Sequence, residues 1–144
     1  MAGFTNKGKA KLLRNFFQSE TPPTNLYVYL VTSATAPTAD TNTLGQLTEI
    51  SETGKEFSLS LNTTDFDTSV SDSEDDTNDK GVMKIKDCTF AGPVTSARYA
   101  ILVDDNATEG SREVYCYWDL GSDRSVSSGQ TLTLQDLEMN LLEP

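Results

Sequence analysis

Between Thr89 and Leu134 the chain sets short apolar-alternating runs between clusters of turn residues: Thr89-Phe90, Tyr99–Val103, Val114–Leu120 and Thr131–Leu134. Runs this short, at near-regular spacing and bounded by Gly, Asp, Asn and Ser, predict a meander of antiparallel strands that closes a sandwich. At 144 residues the chain makes one domain, long enough to bury a core without disulfides or metals. The expected fold is all-β, an antiparallel β-sandwich, jelly-roll-like, with one short N-terminal α-helix. Residues 1–20 read as a basic helix or arm and 21–144 as the sandwich.

The helix is predicted over Lys7–Gln18, with Thr5 as N-cap. Ala10, Leu13 and Phe17 share one face, with Leu12 and Phe16 beside them. Gly8 weakens the first turn, and Thr21-Pro22-Pro23-Thr24 ends the helix. Leu26–Thr32 is apolar or aromatic on both faces and reads as a central strand. The Thr-, Ala- and Pro-rich stretch 33–47 reads as a long ordered connection in which Asp40 can cap a turn around Thr43–Leu47. Phe57–Leu61 alternates strictly. Met83–Lys86 and Cys88–Phe90 alternate out of phase with each other, which predicts a β-bulge near Lys86-Asp87. The same slip recurs between Leu132/Leu134 and Leu137/Met139/Leu141.

Charge is unevenly spread. The chain holds 11 Lys+Arg and 22 Asp+Glu, yet residues 1–19 carry Lys7, Lys9, Lys11 and Arg14 with no acid. A net charge of −11 argues against nucleic acid or an anionic membrane as partner. The basic head is either an ordinary helix with a solvated face or a segment that docks on an acidic surface, a neighbouring copy included. No apolar stretch is long enough to span a membrane, and residues 1–20 lack the pattern of a signal peptide. Cys88 and Cys116 both fall in strand patterns, as buried thiols by default and as a disulfide only if their strands are apposed.

No constellation of reactive groups emerges. The chain has no histidine, which removes the usual base near neutral pH and the commonest zinc ligand. Phosphate-loop, dinucleotide and Cys-x-x-Cys patterns are missing too, so no catalytic, cofactor-binding or metal residues are assigned and an enzyme is not expected. The acidic segment 65–80 reads as the most flexible part of the chain. Its Asp76–Gly81 stretch superficially matches a calcium loop but places Lys80 where an oxygen ligand is needed. A looser site on Asp72, Glu74, Asp75 or Asp76 and a solvated loop that blunts sheet edges both remain open. Trp118 alternates with Cys116 and Leu120 and reads as core; Tyr115 and Tyr117 point the other way, as Tyr27 and Tyr29 do relative to Val28 and Leu30. Those tyrosines make either a second core layer or an interface.

The order of segments carries a resemblance. A basic amphipathic helix (Asn6-Lys7-Gly8-Lys9 to Leu13) precedes Leu26–Thr32 and then Thr35-Ala36-Pro37-Thr38-Ala39-Asp40-Thr41. Phe90, Ala97–Leu102, Tyr117-Trp118-Asp119-Leu120 and Val126–Leu134 follow. Over nearly its whole length the chain resembles a widespread group of small tailed-bacteriophage virion proteins. The resemblance implies a structural β-sandwich, most commonly a capsid decoration or cement protein that binds the shell exterior and bridges capsomers. Head-fibre, tail, baseplate or neck roles are the alternatives, and a receptor- or glycan-binding module displaying Tyr115 or Tyr117 is a further one. It implies a virion location after assembly in the host cytoplasm, the major capsid protein or another virion protein as partner, and a homo-oligomer, preferably a trimer. The residues expected to dock or to join subunits are Lys7, Lys9, Lys11, Leu12, Leu13, Arg14, Phe16 and Phe17.

Overall fold

The computed structural model describes residues 2–67 and 74–142. The chain runs β1 (Ala2–Phe4), α1 (Asn6–Phe17), β2 (Asn25–Val31), β3 (Glu56–Ser60), β4 (Phe66–Asp67), β5 (Glu74–Asp75), β6 (Lys80–Ile85), β7 (Cys88–Ala91), β8 (Val94–Val103), β9 (Val114–Val126), β10 (Thr131–Leu134) and β11 (Glu138–Leu142). Five strands form one antiparallel sheet in the order β1-β9-β8-β2-β3. The second layer pairs β10 with β7 and sets β6 between β11 and β4, with β5 also on β6. The fold is all-β and sandwich-like with one short N-terminal helix.

The main core lies between the layers. Leu26, Val28 and Leu30 of β2, with Ala100, Leu102, Cys116 and Trp118, meet Ile85, Phe90, Leu134 and Leu137. The opposite face of the large sheet is covered as well. Tyr29, Val31, Ile101, Val103 and Val114 pack there against Leu44 and Leu47 of the connection. This explains why β2 reads as apolar on both faces: the ordered connection is a second core layer. Backbone bonds hold it down, from Thr32 N to Thr48 O (2.8 Å), Leu44 N to Arg112 O (2.9 Å) and Val114 N to Asn42 O (2.9 Å). Its 3-10 turn at Leu44–Gln46 is capped by Gln46, whose Oε1 accepts from Thr43 N at 3.0 Å. Asp40 instead accepts from Asn6 Nδ2 at 2.9 Å.

Two further sequence expectations need correction. The first is the bulge near Lys86-Asp87. Cys88 faces Leu134 across β7–β10, and Lys84 faces Glu138 across β6–β11. Both ladders keep one register, so each strand has the same number of residues at the break. The two phase slips are a single matched kink, with Asp136 in the left-handed region at φ 53°. Ile85 N still reaches Leu137 O at 3.0 Å through the kink.

The second is Tyr115. The β8–β9 register shifts between Leu102↔Cys116 and Val103↔Val114, which leaves Tyr115 as the extra residue. That irregularity turns Tyr115 to the same side as Cys116, into the main core, where it is 4% exposed. Tyr117 and Tyr27 do lie on the opposite face, half-buried with Tyr99 on the side covered by the connection, and Tyr29 is fully buried there. Cys88 and Cys116 are free and buried, and burial pushes each thiol up to about 12.

Candidate interaction surface

Helix α1 is fastened to the sheet at its first turn. Thr5, fully buried, donates its hydroxyl to Val114 O and accepts from Gly8 N at 2.9 Å, while Thr5 N donates to Tyr115 O at 3.0 Å. The hydroxyl thus caps the helix and ties it to β9 at once. Gly8, the buried residue of α1, lies directly on β9: a Cβ there would stand 2.2 Å from Tyr115 O. Its absent side chain is what lets helix and strand backbones touch. β1 precedes this joint as an edge strand, pairing Ala2 with Trp118 and Phe4 with Cys116.

Three cations of the basic head are paired within the chain, sharing two carboxylates. Lys7 and Lys11 both pair with Glu113, at 2.7 and 2.8 Å, and Lys11 and Arg14 both pair with Glu20 at 2.8 Å. Burial raises the Glu113 carboxyl, but Lys11 and Lys7 outweigh it and hold the group below the usual carboxylate range. Lys11 and Arg14 likewise lower Glu20, and Lys11 itself is raised, chiefly by Glu113 and then Glu20. Lys9 is exposed. Lys7 and Lys11 therefore fasten the helix to Glu113, while Arg14 pairs with Glu20, just past the helix's own end.

The apolar residues behave differently. Leu13 is 58% exposed, Phe16 80% and Phe17 74%, with Leu12 lower at 37%. The Phe16 and Phe17 rings meet edge to face with centroids 5.0 Å apart. At 100° per residue, Leu12 and Asn15 turn toward the sandwich, Phe16 stands beside Leu12, and Leu13 and Phe17 continue the arc outward. Below Leu12 opens a cavity of about 480 Å³, walled by Phe4, Pro22, Pro23, Phe66, Val82 and Met139. Leu61 and Leu141 stand at its mouth, half-exposed. Asn15 and Tyr115 supply its polar groups, and the Tyr115 hydroxyl is shielded from solvent and raised by burial.

Sequence reasoning found α1 but not the cavity. Leu61 and Leu141 carried a signal: each continues an alternating apolar series, Phe57-Leu59 and Leu137-Met139, beyond the point where it is buried. Glu113, the main partner of the lysines, gave none, since nothing local marks a carboxylate a hundred residues away.

The other candidates resolve into structure. Tyr29 donates to Glu56, Arg112 Nη1 donates to Tyr29 Oη, and Lys55 bridges Glu49 and Glu109 at 2.6 Å each. The Arg112 guanidinium also lies 4.3 Å from the Tyr27 ring centroid. This network ties β2, β3 and the segment before β9 together. In the acidic segment Asp65 is buried, paired with Lys86 at 2.7 Å and accepting from Ser60 N, and both interactions lower it. Asp75 accepts from Asn78 Nδ2 at 2.9 Å within the β5–β6 turn. Asp72 and the centre of the segment, 68–73, lie outside the described residues. Among the described residues no group of three or more Cys, Asp or Glu is placed to hold a metal ion.

Compared with protein-family models, curated proteins and solved structures, the chain finds no match in any of the three.

Proposed function

We propose that this chain is a structural protein of a tailed-bacteriophage virion, a decoration protein that sits on the shell exterior and reinforces capsomer junctions. The segment order supports the family. The observation that carries the reading is the α1 arc: a rigidly mounted row of exposed Leu13, Phe16 and Phe17 on an otherwise acidic sandwich. An apolar patch of this kind marks a contact surface rather than free solvent-facing structure. The helix is held by Thr5, Gly8 and the two ion pairs to Glu113, so the arc meets a partner preorganised, and little ordering entropy opposes binding. Repeated on a symmetric shell, modest contacts add through effective concentration.

A tail, baseplate or neck role shares the same surface and differs in copy number. The glycan reading named Tyr115 and Tyr117: Tyr115 is buried, Tyr117 is half-buried, and the exposed rings on α1 are phenylalanines without hydroxyls. The test is quantitative mass spectrometry of purified virions against the major capsid protein. A stoichiometry comparable with the capsid protein is the expected result. A count matching one ring or one set of fibres moves the protein to the tail or neck, and absence from the particle overturns the proposal.

A further inference from the structure

We infer that the α1 arc and the adjoining cavity together form a self-complementary contact by which two copies of this chain pair. Phe16 of each copy enters the cavity of the other. The inference concerns the same surface as the virion reading but rests only on its geometry.

All the exposed large apolar side chains among the described residues belong to this one region: Leu12, Leu13, Phe16 and Phe17 on α1, and Leu61 and Leu141 at the cavity mouth. With their observed exposures these six offer roughly 500 Å² of apolar surface. A standard interface buries about 800 Å² per partner, of which somewhat more than half is apolar. The patch supplies what such an interface needs. It also lies at the upper end of what a lone monomer displays, about 300–600 Å².

The choice of a second copy follows from what the patch contains. It has a plug, the Phe16–Phe17 pair, and it has an apolar hollow of about 480 Å³ with no charged side chain in its wall among the described residues. That hollow suits a hydrocarbon ring and offers nothing to a charged ligand. Plug and hollow share α1, for Leu12 lines the cavity and Phe16 follows it by one turn. When the plug of one copy enters the hollow of another, the second plug is brought to the first hollow. That is the isologous arrangement, which closes as a two-fold pair rather than a ring of three. Lys7, Lys11 and Arg14 are already paired within each chain, and the exposed Lys9 stands on the arc between Phe16 and Leu13. Each copy carries net −11, so added salt should tighten the pair by screening the repulsion between the bodies.

The test is sedimentation velocity of the full chain from low to high micromolar concentration, at low and high salt. The expected result is a monomer–dimer equilibrium that shifts to dimer with salt. Phe16→Asp removes the plug and Leu61→Arg blocks the hollow from a different element. Both residues are exposed, so circular dichroism and melting should match the parent. Each variant should weaken pairing roughly thirtyfold or more. A parent chain that stays monomeric throughout, or forms a trimer, overturns the inference. So does a dimer that survives Leu61→Arg, since the hollow would then receive nothing. Because the measurement needs only purified protein, its failure leaves the virion stoichiometry untouched, and a failed stoichiometry leaves the pairing standing. Should the parent be monomeric while both variants lose attachment to particles, the face belongs to another virion protein and the pairing is overturned.

Discussion

Gly8 of α1 and the carbonyl of Tyr115 on β9 are in backbone contact: a methyl group at Gly8 would stand 2.2 Å from that oxygen. Two effects of Gly8→Ala therefore oppose each other. Helix propensity favours alanine by up to ~1 kcal/mol, whereas the overlap costs about 1–3 kcal/mol and involves backbone that cannot swing away. The overlap wins, so the variant should be less stable. Chemical denaturation would show it as a lower midpoint, and a raised midpoint would mean that the helix does not lie on β9 as described.

The Thr5 hydroxyl serves two backbones, capping α1 through Gly8 N and donating to Val114 O from a fully buried position. Thr5→Val keeps the shape and removes the hydrogen bonds, leaving Val114 O short of a donor. A loss of about 1–2 kcal/mol is expected from the cap and the orphaned carbonyl. Hydrogen exchange should accelerate in the first turn of α1 more than in β2.

Leu44 tests whether the connection between β2 and β3 is core. It is fully buried on the far face of the large sheet, beside Tyr29 and Val31. Leu44→Ala should cost about 2–5 kcal/mol, the range for a leucine in a packed interior. A loop residue would cost under half a kilocalorie, so denaturant titration separates the two by a wide margin.

The response to pH follows from the direction of the shifts. Lys86 lowers Asp65, Lys55 lowers Glu109, Lys11 and Lys7 bring Glu113 down against its burial, and Arg98 lowers Asp119. A carboxylate whose folded pKa lies below its unfolded value contributes stability above the unfolded pKa, about 4. That contribution disappears as pH falls through the folded pKa. The chain has no histidine and both thiols are pushed up to about 12, so neither kind of group supplies a switch between pH 6 and 8. Melting temperature should be nearly level across that range and fall steeply below about pH 4. A step near pH 6.5 would contradict this account.

Both thiols should also be chemically silent in the folded chain. Cys88 and Cys116 are free, fully buried and held protonated by their surroundings. A thiol-reactive dye should label neither in native buffer and both after unfolding. Rapid native labelling of one site would place it on an opening segment.

What could be read from the sequence was local. The Thr5 cap, the start and end of α1, the doubly apolar β2 and the inward Trp118 all follow from neighbours within a few residues, and the structure has each of them. What escaped was relational. Tyr115 obeys strict alternation until a register shift against Leu102 and Val103 turns it inward, and only the partner strand reveals that. The two phase slips resolve into one kink once β6–β7 and β10–β11 are laid side by side. The lysines of α1 looked free because Glu113 is far off in the chain. Gly8 looked like a weakness in a helix because the strand it fits was out of sight.

The joint at Thr5 spans 109 residues of chain to Val114. Contacts of such separation close late, because the loop between them must first be brought together. During synthesis the segment from Ala2 to Phe17 leaves the ribosome long before β9 exists to receive it. The apolar helix therefore stays unanchored until the large sheet is nearly complete. Its Phe16–Phe17 plug gains a fixed direction only when the rest of the molecule is built, so the contact surface is switched on by completion of the fold that carries it.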